Sequence, residues 1–72
     1  MQGETSGLQD LVESTLHRRM LGSRSLRFEL RDGTVVLSGS VRSYYQKQLA
    51  QESLRGIDGI RSVENQIEVV SL

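Results

Sequence analysis

The sequence has no cysteine, proline or tryptophan, and aromatic residues make up only 4% of its 72 residues. Without cysteine, disulfide bonds, thiol nucleophiles and cysteine-ligated zinc sites are excluded. An excess of one charge is also absent, because nine Lys and Arg balance nine Asp and Glu, and this argues against a general nucleic-acid binder. No apolar run approaches the ~20 residues of a membrane span, and the start lacks a signal-peptide pattern. The composition predicts one small module, a binder rather than an enzyme, that depends on its hydrophobic core alone.

The first periodic segment predicts a helix over residues 7–20. Residues 1–6 show no periodicity, so we predict a flexible N-terminal segment followed by a single domain over residues 7–72. Ser6 and Gln9 have the spacing of a capping box, and Gly22 is a natural stop. The stem of Arg19 should lie along the rim of the core. The predicted core stripe of this helix is Leu8, Leu11, Val12, Thr15, Leu16 and Met20.

Two alternating segments joined by Asp32-Gly33 predict a β-hairpin, since both turn positions tolerate positive φ. Ser38 and Ser40 should be exposed on the outer face. The predicted inward residues are Leu26, Phe28 and Leu30 in the first strand and Val35, Leu37, Gly39 and Val41 in the second.

A second helix should begin after Ser43, which forms another capping-box pair with Gln46, and end near Gly56 and Gly59. Its predicted core face is Tyr45, Leu49, Ala50, Ser53, Leu54 and Ile57. The third strand should direct inward Val63, Asn65, Ile67 and Val69. On the opposite face, Arg27 and Arg31 are available to pair across strands with Glu64 and Glu68.

The element order αββαβ predicts an α+β fold, a two-layer sandwich in which both helices cover one face of a three-stranded sheet. A right-handed crossover makes the third strand parallel to the second. The sheet is mixed if these two strands are neighbours. It is antiparallel throughout if the first strand lies between them, and the sequence leaves this order open.

Two stretches resemble the signatures of the BON domain, a family named after bacterial osmotically inducible and nodulation proteins. The first is DGTVVLSGSV over residues 32–41, and the second is GIRSVENQIEV over residues 59–69. Ile60 and Leu54 depart mildly from the family's commoner Val and Ala. The resemblance implies an αββαβ module of bacterial envelope and periplasmic proteins that attaches to phospholipid membranes or to partner proteins. It implies neither catalysis nor an agreed set of ligand residues.

The motif residues Gly33, Gly39, Gly59 and Asn65 are interpreted as structural. Gly39 is in phase with the inward side chains, so its missing Cβ would allow a helix to approach the sheet closely. Asn65 is also on the inward phase, and a buried amide needs hydrogen-bond partners. We therefore expect Asn65 to tie the third strand to a neighbouring loop.

No residue pattern predicts a catalytic site, a metal site or a cofactor. His17 is the only histidine and falls on the polar side of the first helix. Ser38 and Ser40 alternate outward on a strand, while Ser43 caps a helix. The carboxylates are scattered without the ligand spacing of a calcium or two-metal site.

Five cations are expected to gather where the first helix ends and the second begins, and we call this end of the molecule the basic pole. They are Arg18, Arg19, Arg24, Arg42 and Lys47. Tyr44 lies beside them, off the core stripe, and suits a lipid interface. Asp32 and Asp58 lie at the opposite end, where Arg31, Arg55 and Arg61 dilute their charge.

The leading hypothesis is a docking module whose basic pole meets anionic phospholipid. The alternative is a protein-interaction or oligomerisation module that uses a strand edge or the open sheet face. RNA binding is disfavoured because the sheet face lacks aromatic residues for base stacking. Ordinary solvated arginines at loop ends remain the competing interpretation of the charges, and no small-molecule substrate is expected.

Overall fold

The computed structural model describes the backbone of residues 4–20 and 26–70, and the side chains of the first helix from Gly7 onward. Its helices are α1 (Glu4–Arg19) and α2 (Tyr44–Leu54). Its strands are β1 (Arg27–Arg31), β2 (Thr34–Ser38), β3 (Ser40–Val41), β4 (Ser62–Asn65) and β5 (Glu68–Val69).

Helix α1 starts and ends earlier than the predicted bounds of residues 7 and 20. Because no proline precedes Ser6, the helical backbone continues upstream of the predicted cap. Within the predicted stripe, the buried side chains are Val12, Thr15, Leu16 and Met20, while Leu8 is half-buried. The prediction for Leu11 was wrong: it is 45% exposed, because it is rotated about 100° from Val12 around the helix axis. Arg19 is exposed in the last turn.

Strands β1 and β2 form the predicted hairpin. They pair antiparallel from Arg27 with Ser38 to Arg31 with Thr34. Asp32 and Gly33 both have positive φ, 49° and 80°, as a two-residue turn of type I′ requires. The hairpin therefore follows from the Asp-Gly pair and the alternating pattern.

The sheet is mixed, with β2 in the centre of the order β1-β2-β4. Strand β4 runs parallel to β2, and Val35 pairs with Val63. This arrangement settles the strand order that the sequence left open. The crossover through α2 connects neighbouring strands, as expected of a β-α-β unit.

Each of the predicted second and third strands is divided into two shorter strands, and the two breaks lie beside each other. Gly39 separates β2 from β3 with a φ of 116°, a backbone conformation that residues with a Cβ rarely adopt. On the partner side β4 ends at Asn65, and β5 then pairs parallel with β3. Val41 and Ile67 keep the inward phase beyond this bend and are buried, but Val69 is 39% exposed instead of buried as predicted, because it lies in β5, a two-residue strand with β3 as its one neighbour in the described sheet.

Helix α2 begins as the capping box predicts. The Ser43 hydroxyl accepts a hydrogen bond from the Gln46 N–H at 3.2 Å. The side chain of Gln46 reaches back and accepts from the Arg42 N–H at 3.0 Å. The predicted burial of Tyr45 was wrong, since it is 72% exposed. It lies five residues before the buried Ala50, which places it about 140° away around the helix.

Both helices cover one face of the sheet and pack against each other. The side chain of Leu8 in α1 approaches Gly59, where a Cβ would lie 3.1 Å from Leu8 Cδ2. The start of α1 therefore lies near the segment that follows α2. The buried apolar core consists of Val12, Leu16, Met20, Val35, Leu37, Val41, Ala50, Leu54 and Ile67.

The uncovered face of the sheet differs from prediction in its charge pairing. Strand β2 separates β1 from β4, so Arg27 and Arg31 do not lie beside Glu64, and Arg31 pairs with Glu29 at 3.4 Å. Glu68 lies on β5, beyond the bend, and pairs with Ser40 of β3. Ser38 and Ser40 are half-buried and not exposed as predicted. Ser38 pairs with Arg27 of β1, and Ser40 pairs with Glu68 of β5.

Candidate functional site

The start of α2 presents two aromatic side chains and two cations. Tyr44 and Tyr45 are 71% and 72% exposed, and Arg42 is exposed just before the helix. Lys47 is half-buried, contrary to its predicted exposure, since it lies only about 60° around the helix from Ala50. The two tyrosines therefore extend from the protein beside positive charge, an arrangement that suits a membrane–water interface.

The remaining cations of the basic pole come from α1. Arg18 and Arg19 are exposed in its last turn. The sequence predicts that this turn lies at the end of the molecule where α2 begins, and this placement stays a prediction. Arg27, the first residue of β1, pairs with Ser38, so the start of β1 lies beside the end of β2. Arg24 lies outside the described residues.

The cations of the basic pole are not neutralised by ion pairs within the described residues. Over residues 7–20 and 26–70 the ion pairs are Arg31 with Glu29 and Arg55 with Glu52, each 3.4 Å long and exposed. The first turn of α2 also contains no acidic residue. The free backbone N–H groups at the start of α2 add to the positive potential around this turn.

The opposite end of the molecule is less acidic than its aspartates suggest. Asp32 and Asp58 are exposed, as is Arg61. Arg55 and Arg61 line a groove of about 430 Å³ between the end of α2 and the start of β4. The sequence predicts these arginines only as residues that dilute the acidic charge. It does not predict the groove, because the spacing of α2 and β4 cannot be read from periodicity.

Asn65 has the structural role expected of it, but it contacts a helix instead of a loop. Its Nδ2 donates to the Lys47 carbonyl at 2.9 Å and to Gln51 Oε1 at 3.2 Å. Its Oδ1 accepts from the Ile67 N–H at 3.2 Å. Asn65 thus ties the bend after β4 to α2. The reason is topological, because the inward face of β4 lies beneath the helix.

Gly33 and Gly39 both have positive φ, and the carbonyl of each accepts hydrogen bonds from a neighbouring segment. The Gly33 carbonyl accepts hydrogen bonds from the N–H groups of Arg61 and Ser62 at 2.6 and 3.4 Å, which joins the hairpin turn to the start of β4. The Gly39 carbonyl accepts from the Glu68 N–H at 2.9 Å at the bend. The close helix approach predicted at Gly39 stays a prediction.

The residues considered for catalysis are dispersed. His17 is exposed on α1, and none of the hydrogen bonds found among the described residues joins it to a carboxylate or hydroxyl. Within the same residues, no three His, Asp or Glu side chains are grouped as metal ligands. Neither described helix is both long enough and apolar enough to cross a bilayer.

Tyr45 is the surface residue that the prediction wrongly placed in the core. The sequence does contain a signal for its exposure, because the polar Gln46 and Lys47 lie nearer the inward phase of Ala50 and Leu54 than Tyr45 does. A stripe centred on Ala50 would have placed Tyr45 beside Tyr44 on the surface.

Comparison with known proteins identifies the family. A family model described as the BON domain matches residues 5–71. Osmotically-inducible protein Y of Escherichia coli (strain K12) is 32% identical over 66 residues, which cover 92% of this chain. The chain spans only 33% of that relative's length. With its αββαβ fold and the match over nearly its whole length, this chain belongs to the BON domain family.

Proposed function

We propose that this domain is a non-enzymatic docking module that attaches to anionic phospholipid surfaces through its basic pole. The proposal rests on the exposure of Arg18, Arg19 and Arg42, which the sequence predicts to lie at one end of the molecule, and on the exposed Tyr44 and Tyr45. No ion pair among the described residues neutralises these cations. A domain of zero net charge binds a charged surface when its positive charge is segregated, because screening limits the field to about 8–10 Å.

The expected attachment is weak. Each basic side chain near an anionic leaflet contributes about 1 kcal/mol, so the four described cations supply about 4 kcal/mol. This free energy corresponds to a dissociation constant of about 1 mM. The exposed tyrosines add a contribution that salt does not screen. Useful attachment then requires a second anchor or binding module, which raises the local concentration of this one.

The bacterial envelope, and the periplasm in particular, is the proposed location. Support comes from the family and from its osmotically inducible relative. The absence of catalysis is likewise part of the proposal. It is supported by the family, and none of the hydrogen bonds found among the described residues joins His17 to a carboxylate or hydroxyl.

A protein-interaction module is the second candidate function. The observation that favours it is the position of β1 and β4 at the two edges of the described sheet. RNA binding has less support, because the exposed residues of β1 on the open face are Arg27, Glu29 and Arg31, none of them aromatic.

Sedimentation with vesicles tests the lipid proposal. The wild-type chain should pellet with vesicles that contain phosphatidylglycerol, bind little to phosphatidylcholine vesicles, and lose most binding at about 0.5 M salt. Replacing Arg42 and Lys47 together by glutamate should abolish pelleting. Since Lys47 is half-buried, the pair Arg18→Glu and Arg19→Glu provides a second test from the other helix.

The matched control changes Arg55 and Arg61 to glutamate at the opposite end, with the same change in net charge. The control should pellet nearly as the wild type does. If all the double variants behave alike, or if the wild-type chain never pellets with anionic vesicles, the lipid proposal is wrong and the protein-interaction candidate replaces it.

A further inference from the structure

Two adjoining grooves run along the seam between α2 and β4. The first, of about 430 Å³, is lined by Gln51, Arg55, Ile60, Arg61, Ser62 and Val63. The second, of about 170 Å³, is lined by Tyr44, Lys47, Gln48, Gln51 and Asn65. Gln51 belongs to both, so the two grooves adjoin at this residue, and we call them together the α2–β4 seam.

The charge of the α2–β4 seam is of one sign. Among the residues that the structure describes, its lining includes the cations Lys47, Arg55 and Arg61 and no carboxylate. The Arg55 guanidinium contacts Glu52 at 3.4 Å, but both side chains are more than half exposed, and such a surface pair is weak. The seam therefore suits a ligand that carries negative charge.

The helix side of the seam is a regular ridge. Lys47, Gln51 and Arg55 follow one another at intervals of four residues and so lie along one side of the helix. The two cations are eight residues apart, which corresponds to about 12 Å along the helix axis. An extended chain covers this distance in about four residues. Residues four apart in a strand point to the same side, so two acidic residues at positions i and i+4 would both face α2.

The strand side of the seam is a free sheet edge. The Ser62 and Gln66 N–H groups donate to the carbonyls of Gly33 and Leu37, on the side of β2. Since successive residues of a strand alternate in direction, the backbone groups of Val63 and Asn65 point to the other side. No strand of the described residues pairs with β4 there. Both Val63 and Asn65 line the seam.

We propose that the α2–β4 seam binds an extended acidic segment of another protein, which adds to β4 as a further strand. The backbone groups of Val63 and Asn65 supply strand hydrogen bonds, and Lys47 and Arg55 pair with acidic residues four positions apart. Arg61 adds a third cation at the start of β4. Strand addition into a groove between an edge strand and a helix is a recurring mode of peptide recognition. The site adjoins the lipid surface proposed above and shares Tyr44 and Lys47 with it, whereas Arg55, Arg61 and Val63 belong to the seam alone.

The test begins with selection of phage-displayed random decapeptides on the immobilised full chain. Selected peptides should be enriched in acidic residues at i and i+4 and should bind the free chain in solution. A synthetic copy of one selected peptide should slow amide hydrogen exchange at Val63 and Asn65, and leave the exchange at Ser62 and Gln66, already bonded toward β2, nearly unchanged.

Two double variants decide where the peptide binds. Arg55→Glu with Arg61→Glu should weaken its affinity about tenfold or more, while the control Arg27→Glu with Arg31→Glu, on the opposite edge strand, should keep it within about twofold. Melting curves of both variants confirm that they are folded. The proposal is overturned if no peptide is selected, if the selected peptides lack acidic residues, or if protection appears at β1.

A competition experiment separates this proposal from lipid binding. Phosphatidylglycerol vesicles should not displace the peptide from the Arg42→Glu variant, which is weakened only at the basic pole. Displacement there would show that the seam takes an anionic headgroup, and the peptide assignment would be wrong. If vesicle binding fails while peptide binding persists, only the proposed lipid function is contradicted.

Discussion

Replacement of Asn65 by alanine should destabilise the domain more than the same replacement of any other exposed or half-buried polar residue in the described part of the chain. The side chain makes hydrogen bonds to the Lys47 carbonyl, to Gln51 Oε1 and from the Ile67 N–H. Each hydrogen bond contributes about 1 kcal/mol net, so Asn65→Ala should cost about 2–3 kcal/mol. The Ile67 N–H loses its partner beside a side chain that is only 1% exposed, which adds to the penalty.

The expected loss is large relative to the reserve of so small a domain, which is about 4–10 kcal/mol by per-residue scaling. A change of 1 kcal/mol shifts the melting temperature of a domain this size by about 4–8 °C, so we expect a fall of about 10–20 °C. Differential scanning calorimetry measures it.

Two further variants apportion the effect. Gln51→Ala removes one of the three bonds and should lower the melting temperature by only about 3–8 °C. Asn65→Asp keeps an acceptor for the Ile67 N–H but turns a carboxylate oxygen toward the Lys47 carbonyl and Gln51 Oε1, so it should cost at least as much as Asn65→Ala. The reasoning is refuted if Asn65→Ala melts within about 3 °C of the wild type, or if Gln51→Ala costs more than Asn65→Ala.

Three further stability predictions follow from single sites, each checked by thermal melting. Gly33→Ala should lower the free energy of unfolding by about 1–2 kcal/mol, because the φ of Gly33 is 80° and an added Cβ would lie 2.8 Å from Arg61 Cδ. Gly56→Ala, where an added Cβ meets open space, should be neutral or stabilising by up to about 1 kcal/mol. Ser43→Ala should cost about 1 kcal/mol by removing the cap of α2, and Ser43→Asp should restore most of it. Leu37→Ala should cost about 2–5 kcal/mol, since Leu37 is fully buried. Equal effects at Gly33 and Gly56, no loss at Ser43, or a tolerated Leu37→Ala would each contradict the corresponding account.

The parts of the fold that local chemistry determines were predictable from the sequence. The Asp32-Gly33 pair has only a few compatible turns, and the Ser43 cap defines the start of α2 by its own hydrogen bond. Alternation placed Val35 and Leu37 inside because one face of a strand must be covered. The order of the strands was not predictable, because it depends on which edge of β2 the crossover reaches.

The errors in prediction arose where a pattern was extended too far or counted from the wrong residue. The inward phase holds through Val41 and Ile67, but it was wrongly continued to Val69 in the short edge strand β5. Tyr45 was placed inside because the stripe of α2 was counted from the wrong centre. The α2–β4 seam could not be predicted, since it combines residues from two elements whose separation is set by tertiary packing.

Backbone amide chemical shifts measured with bilayer nanodiscs test the central claim most directly. Nanodiscs that contain phosphatidylglycerol should shift or broaden the amides of Arg18, Arg19, Arg42, Tyr44 and Tyr45, and the effect should fade with added salt as the cations are screened. Phosphatidylcholine nanodiscs should leave the same amides nearly unchanged. The account predicts that the perturbed amides form one patch at the basic pole. Perturbations centred on β1 or on Arg55 and Arg61, or no difference between anionic and neutral bilayers, would contradict it.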